Sequence, residues 1–494
     1  MFKVTFIGAG SIGFTRVLLR DLLAVPEFSA IEIAFTDINE DNLRMVTQLC
    51  QRDIDSNGLP IKIHATLNRR EALAGAKYVV NAVRIGGLEA FATDVNIPLK
   101  YGVDQCVGDT ICAGGIMYGQ RDIPVMLDFC KDIREVSAPN ALLLNYANPN
   151  AMVTWACNKY GKVNTIGLCH GVMGGHQQIA DVLGAELKDV DIVCAGINHQ
   201  TWYTSVKLHG KDVCQKDILK GFMAHPTYSQ TEKVRIDVMK HFGYYSTESN
   251  GHLSEYLPWY RKNAEEINKW IHMGSWIDGQ TGGYLRVCTE GRNWFETDFP
   301  NWLAEEPKQF GDRGHEHGSY IIEGLETGRV YRGHFNVVNN GCITNLPDDA
   351  IIEVPGYVDH NGINIPKVGD LPLGCAAICN ASVSVQRLAV EAGVHGDVTL
   401  LKQAMMMDPL TGAICTTADI SQMTDEMLIA GEEWLPQYTD AIAAAKAKRL
   451  TPEWVERADY EGAARVTIKT VTEMEAEKEK TRAMVQATEK AGFE

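Results

Sequence analysis

The sequence predicts an α/β fold, a doubly wound parallel sheet with a second α+β domain, and three observations carry that expectation. Short β-branched runs alternate with helical periodicity up to about residue 193, a three-glycine turn joins the first run to the first helix, and from about residue 194 the alternation gives way to aromatic-rich loops and longer helices. In chain order, Lys3–Ile7 is the opening strand, and Leu18, Leu19, Leu22 and Leu23 give the next segment one apolar stripe at helical spacing. Residues 31–36, 78–83, 141–145 and 163–168 read as further buried strands, while Ile123, Met126, Cys130 and Ile133 offer a second helical stripe to the sheet. A later strand-like block covers residues 350–358. From Asp440 the composition shifts to Ala, Lys, Glu and Thr with few large apolar side chains, which predicts a solvated helical extension. The expected division is therefore residues 1–193, 194–439 and 440–494.

Composition narrows the function classes. A chain of 494 residues with 45% hydrophobic and 22% charged residues is that of a soluble globular protein of two packed domains, not of a small binding module or a disordered chain. Lys plus Arg number 46 against 63 for Asp plus Glu, and a formal net charge of -17 repels nucleic-acid phosphates and anionic lipids where no basic patch intervenes. The N-terminal MFKVTFIGAG lacks the features of a secretory signal, and no run of about 18 apolar residues suits a membrane span. Thirteen scattered cysteines suit reduced thiols, so a cytoplasmic location is expected.

Gly8-Ala9-Gly10-Ser11-Ile12-Gly13 lies where the first strand hands over to the first helix. There the glycines permit a sharp turn and close approach to a pyrophosphate, and the helix N-terminus offers free N–H groups and partial positive charge. Asp37 follows the next strand, where a carboxylate accepts from a ribose diol and repels a 2′-phosphate, favouring NAD over NADP; the plainer reading is a tight turn with Asp37 capping the next helix. This context makes residues 1–193 a Rossmann-like, dinucleotide-binding domain and leaves residues 194–439 to complete a cleft.

Three clusters carry chemistry. Asn145-Tyr146-Ala147-Asn148-Pro149-Asn150 ends a predicted strand, so Asn148 either holds sugar hydroxyls or caps a helix starting at the proline. Cys169 in Gly-Leu-Cys-His-Gly and His199 in Ala-Gly-Ile-Asn-His are either two ligands for one divalent cation or a buried thiol and a core histidine. The segment 246–256 is dense in titratable groups; Tyr256 is either a base favoured by nearby positive charge or a packing residue beside Pro258 and Trp259.

Together and in this order, GAGSIG, TDIN, NAVRIGG, VGDTICAGGI, NYANPNA, GLCHGV, AGINHQ, TESNGHLSEYLPW and TNLPDDAIIEVPGYVD resemble glycoside hydrolase family 4, up to about Asp440. The SEYLPW segment and the Asp109-Thr110 pair are most similar to the melibiase-type α-galactosidases of that family. The resemblance implies a glycosidase that uses NAD as a redox catalyst without net oxidation, together with Mn²⁺ or a similar divalent metal. A ketone formed at sugar C3 acidifies the C2 hydrogen, a base removes it, the metal stabilises the resulting enolate, and the leaving group is eliminated from C1. Water then adds, C2 is reprotonated, and the hydride returns to C3.

Carried over residue by residue, the resemblance implies Cys169 and His199 as metal ligands, Asn148 as a substrate contact and Tyr256 as the base. Asp109 and His170 compete as the acid; Arg84, Glu248 and Arg286 are further substrate contacts. A thiolate ordinarily favours softer metals, and two sugar oxygens with one imidazole make the site hard enough for Mn²⁺. The resemblance also implies a homodimer or homotetramer. The alternatives are an α-galacturonidase, an α-glucuronidase or a broad α/β-glycosidase of the same family and, from another class, a net NAD-dependent dehydrogenase of a hydroxy acid or polyol.

Overall fold

The computed structural model describes residues 2–273, 279–311 and 313–491. Its strands are β1 (Lys3–Ile7), β2 (Glu32–Thr36), β3 (Ile63–Ala65), β4 (Tyr78–Asn81), β5 (Leu142–Asn145), β6 (Thr165–Gly167), β7 (Val190–Ile197), β8 (Gln200–Leu208), β9 (Lys211–Asp212), β10 (Tyr331–Val338), β11 (Ile351–Asp359) and β12 (Gly362–Asn364). Among the described residues they form one sheet in the order β3-β2-β1-β4-β5-β6-β10-β11-β7-β8-β9, with β12 against β11.

The first six strands are parallel. Val4, Ile33, Val79 and Leu143 are almost completely buried, because helices cover both faces, and a doubly covered strand needs an unbroken apolar run. The helix Ile12–Leu23 buries Leu18, Leu19, Leu22 and Leu23, and the helix Cys112–Val136 buries Ile123, Met126, Cys130 and Ile133, as the periodicity predicts. Chain connection reverses direction between β1 and β4, so their carboxyl ends open a crevice, the place where such sheets bind ligands. The run 78–83 stops pairing at Asn81, before Gly86 and Gly87 turn the chain with φ of 82° and 56°.

The later strands extend this same sheet. β10 joins β6 antiparallel through Asn336 and Gly167, and β11 joins β7 through Glu353 and Gly196. The position 193/194 falls inside β7. The helix Leu373–His395 is long and apolar enough to cross a membrane by length and composition, and 50% of that apolar window is buried inside the protein.

The C-terminal extension is only in part the expected solvated helix. Helices cover Thr439–Arg449 and Val471–Ala491, but the stretch between them is an extended strap. The reason is a set of partners distant in sequence. Ala463 N–H donates to the buried Asp104 carboxylate at 2.9 Å, Ala464 N–H donates to Thr281 Oγ1 at 3.1 Å, and Trp454 and Ala464 are buried. Residues 492–494 of the extension lie outside the described residues.

Candidate active site

At the nucleotide end, Gly8 has φ of 79°, and the N–H groups of Gly8 and Ala9 both reach the Thr36 carbonyl at the end of β2. Asp37 does not cap the following helix, whose cap is Asn39. Its carboxylate accepts from Gly10 N–H at 2.8 Å and from Asn39 N–H at 2.9 Å, so it braces the glycine turn. A side chain at Gly10 would strike Asp37, whereas a Cβ at Gly13 would meet nothing within 4 Å. The helix begins at Ile12 after Ser11 without a side-chain cap, which leaves its first N–H groups uncapped by a side chain. These residues fit a dinucleotide pyrophosphate.

The chemistry end gathers at the carboxyl side of β4, β5 and β6. Asn145 accepts from Asn81 Nδ2 at 2.8 Å, and Asn150 donates to the Asn145 and Leu168 carbonyls at 3.2 Å each, knitting three strand ends together. Asn148 is not a helix cap: the helix Asn150–Lys159 starts after Pro149, and Asn148 Nδ2 donates to Asp109 Oδ2 at 3.0 Å. Cys169 follows β6 and is buried. Its carbonyl is held at 3.1 Å by His317, whose pKa burial pushes down to about 4, so that ring stays neutral.

His199 occupies a two-residue turn between β7 and β8, at φ of 62°, a left-handed conformation that is costly for a branched or bulky residue and here aims the ring inward. Cys169, His199 and Glu248 place one ligand atom each within 4.8 Å of one another. Glu248 Oε2 stands 3.2 Å from both His199 Nε2 and His252 Nε2. The close approach depends on Gly171, where a Cβ would lie 2.6 Å from Glu248 Cγ. Burial, then Glu248 and Glu353, raises the Cys169 thiol well above its ordinary value. A divalent cation reverses that balance and favours the thiolate, so this donor set, one thiol, one imidazole and one carboxylate, fits such an ion.

Thr110 sets the imidazole tautomer. Its hydroxyl donates to Asp109 Oδ1 at 3.0 Å and therefore accepts from His199 Nδ1 at 2.8 Å, leaving Nε2 with the free lone pair. Tyr256, at the end of the helix Asn250–Tyr256, places its hydroxyl 3.4 Å from His199 Nδ1 and is fully buried. Burial, then Glu255 and Asp109, raises its pKa well above the ordinary phenol value.

His170 lies beside this group, about half exposed, with its Nε2 on Glu316. That carboxylate raises the His170 pKa, against the opposing effect of burial. Arg84 faces Asp109 at 3.7 Å beneath the rings of Phe91, Tyr118 and Tyr284. Arg286 is bonded to Glu290 at 2.9 Å and Gln280 at 3.2 Å, and among the described residues it makes no bond to Cys169, His199 or Glu248.

Family 4 glycosyl hydrolase sequences match residues 3–185, and the C-terminal domain of family 4 glycosyl hydrolases matches residues 194–411. The chain belongs to the family 4 glycosyl hydrolases. An α-galactosidase of Rhizobium meliloti (strain 1021) is 58% identical over 480 residues, 97% of this chain and 98% of its own length. An α-galactosidase of Bacillus subtilis (strain 168) is 34% identical over 441 residues, 89% of this chain and 100% of its own. The fold is similar to that of a 6-phospho-α-glucosidase from gut microorganisms solved with NAD and glucose-6-phosphate. That likeness has a TM-score of 0.72 at 25% identity, over 88% of this chain and 99% of the other.

This family 4 glycosyl hydrolase carries site residues to which sequence reasoning gave no role. Thr110, His252, Glu316, His317 and Glu353 all touch or charge the group around Cys169 and His199. Burial, then Glu248, pushes Glu353 up to about 8, against the opposing effect of Asn198 and the His199 backbone. Only the position of Glu353 within the quoted TNLPDDAIIEVPGYVD motif hinted at it.

Proposed function

We propose that this enzyme hydrolyses α-galactosides, with NAD as a redox catalyst and a divalent cation, Mn²⁺ in the first instance. Gly8, Gly10, Ser11, Ile12, Gly13 and Asp37 hold the nucleotide, and Cys169, His199 and Glu248 hold the ion. The observation that carries this reading is convergence: the thiol, imidazole and carboxylate triangle lies beside Tyr256, Asp109 and Asn148, at the strand ends of a nucleotide-binding sheet. The two α-galactosidase relatives support the sugar and the linkage.

When bound, NAD supplies a reversible hydride acceptor and the cation supplies positive charge beside the sugar oxygens. The chain's own groups do the rest. Asp109 accepts from Asn148 and Thr110 and faces Arg84, partners that hold it in place to orient the substrate hydroxyls. Burial and the neighbouring carboxylates favour the neutral phenol of Tyr256, and the positive charge of a cation held beside it would offset them, so that Tyr256 Oη would take the proton from sugar C2 and return one to it. His170 keeps a ring proton because Glu316 favours the imidazolium, and it protonates the departing oxygen. Thr110 fixes the His199 ring so that these groups face one point.

All thirteen cysteines are free thiols, which supports action in a reducing cytoplasm. The family resemblance supports a homodimer or homotetramer. The test of the function is incubation with p-nitrophenyl α-galactoside, NAD⁺, Mn²⁺ and a thiol reductant. Release of nitrophenol without accumulating NADH is expected; stoichiometric NADH from a hydroxy acid or polyol, with no nitrophenol, would replace the glycosidase by a net dehydrogenase.

A further inference from the structure

Glu255 precedes Tyr256 in the same short helix, is completely buried, and has no place in the chemistry above. Its side chain turns away from the base and spends both oxygens on backbone. Oε2 accepts from the N–H groups of Cys106 at 2.7 Å and Val107 at 3.0 Å, and Oε1 accepts from Gly108 N–H at 3.1 Å. Those three residues lead directly into Asp109 and Thr110. One residue thus links two segments about 150 positions apart: its backbone carries Tyr256, and its carboxylate grips the loop that presents Asp109 and Thr110 to His199.

We propose that Glu255 is a positioning residue, an anionic clasp that makes the loop 106–110 and the Tyr256 helix a single rigid unit. Reacting groups held to within a few tenths of an ångström depend on such supports, and a misplacement of about 1 Å costs about 100-fold in rate. Rigidity here has further sources on both sides. Cys112 Sγ donates to the Glu255 carbonyl at 3.0 Å, and Arg261 ties Ser254 Oγ at 3.3 Å to the Asp104 carboxylate at 2.6 Å. Neither supplies what Glu255 supplies, an acceptor for three successive amides that a helix or strand would otherwise satisfy.

The clasp works only as a carboxylate, since a protonated acid loses one acceptor site and adds a donor among donors. The charged and titratable groups facing it are Arg261, which favours the anion, and Cys106, Cys112 and Tyr256. Burial outweighs Arg261 and the three amides and pushes Glu255 up to about 7. Loss of the anion therefore falls within an accessible pH range, and loosening of the loop is expected as pH drops through about 7.

The proposal rests on the glycosidase reading only for its catalytic consequence, so its decisive measurement needs no substrate. Hydrogen exchange of the amides of Cys106, Val107 and Gly108 is followed in the full-length enzyme from pH 5.5 to 8.5 and expressed as protection relative to unstructured peptide. Protection falling at least tenfold below pH 6 while the helix Cys112–Val136 stays protected supports the clasp. Protection that is constant across this range, or absent at pH 8.5, overturns it. The companion variant is Glu255→Gln, assayed on p-nitrophenyl α-galactoside. A folded E255Q with kcat lowered about 100-fold, KM within threefold of the parent and no protection of these amides at any pH supports the proposal. A folded E255Q with parental kcat overturns it, and if E255Q does not fold, exchange in the unaltered chain decides.

Discussion

Thr110 Oγ1 accepts from His199 Nδ1 at 2.8 Å while donating its own proton to Asp109 at 3.0 Å. This single hydroxyl decides which imidazole nitrogen keeps a lone pair, and it couples the His199 ring to the Asp109 carboxylate. Partners of this kind are worth about 10- to 100-fold in metal affinity or activity. Thr110→Val, which keeps the shape and removes the hydroxyl, is expected to weaken Mn²⁺ binding by that factor. Equilibrium dialysis with Mn²⁺ measures it, and nucleotide affinity should remain at the parental value.

Chelation should remove activity, and Mn²⁺ should restore it to the parent enzyme. Cys169→Ser is expected to retain its thermal midpoint within about 2 °C, because a buried thiol of this kind adds little beyond packing. It should lose most of its bound metal. Metal analysis of the purified variant after dialysis checks this, and parental metal content would remove Cys169 from the ligand set.

The His170 and Glu316 pair gives a pH signature. Glu316 raises the His170 pKa from 6.5, so the folded protein holds a proton that the unfolded chain has begun to release. The resulting stabilisation is complete below the unfolded value and is lost as pH rises through the raised folded value. Activity that needs the imidazolium as an acid declines on the same basic limb. Glu316→Gln is expected to move that limb of kcat/KM to lower pH, since it removes the charge that favours the imidazolium, and a pH profile of both proteins measures the shift.

The C-terminal strap stabilises the loop at Asp104. Its Ala463 N–H is one of the donors that keep this buried carboxylate satisfied, beside Arg261 and Thr281. Ending the chain at Leu450 removes that donor and exposes the surface under Trp454. A loss of about 1.5–3 kcal/mol is expected for that hydrogen bond to a charged group alone, read from denaturant unfolding of the two proteins.

Most of the sheet was legible in the sequence because a doubly covered parallel strand leaves an unbroken apolar run. β1 has the predicted bounds, β2 and β5 differ by one residue at one end, and β11 is shifted by one residue at both ends. Cys169 and His199 were legible because each sits in a short motif at the end of a strand. What pairs with them was not. Thr110 lies 89 positions from His199, and Glu316 lies 146 positions from His170. Such partners are chosen by the fold and leave no local pattern. The Asn148 amide shows the same limit, since a helix cap was the nearest local use for it and the structure gives it Asp109 instead. The strap between the two C-terminal helices looked like solvated helix by composition, yet its backbone is claimed by Asp104 and Thr281.

On the proposed mechanism this active site breaks a carbon–hydrogen bond next to the anomeric carbon on the way to hydrolysis. Cleavage of p-nitrophenyl α-galactoside in D₂O, followed by NMR of the released sugar, tests it most directly. Deuterium at C2 of the galactose is expected, at a level approaching one atom per turnover. Galactose released at the normal rate with only protium at C2 would contradict it.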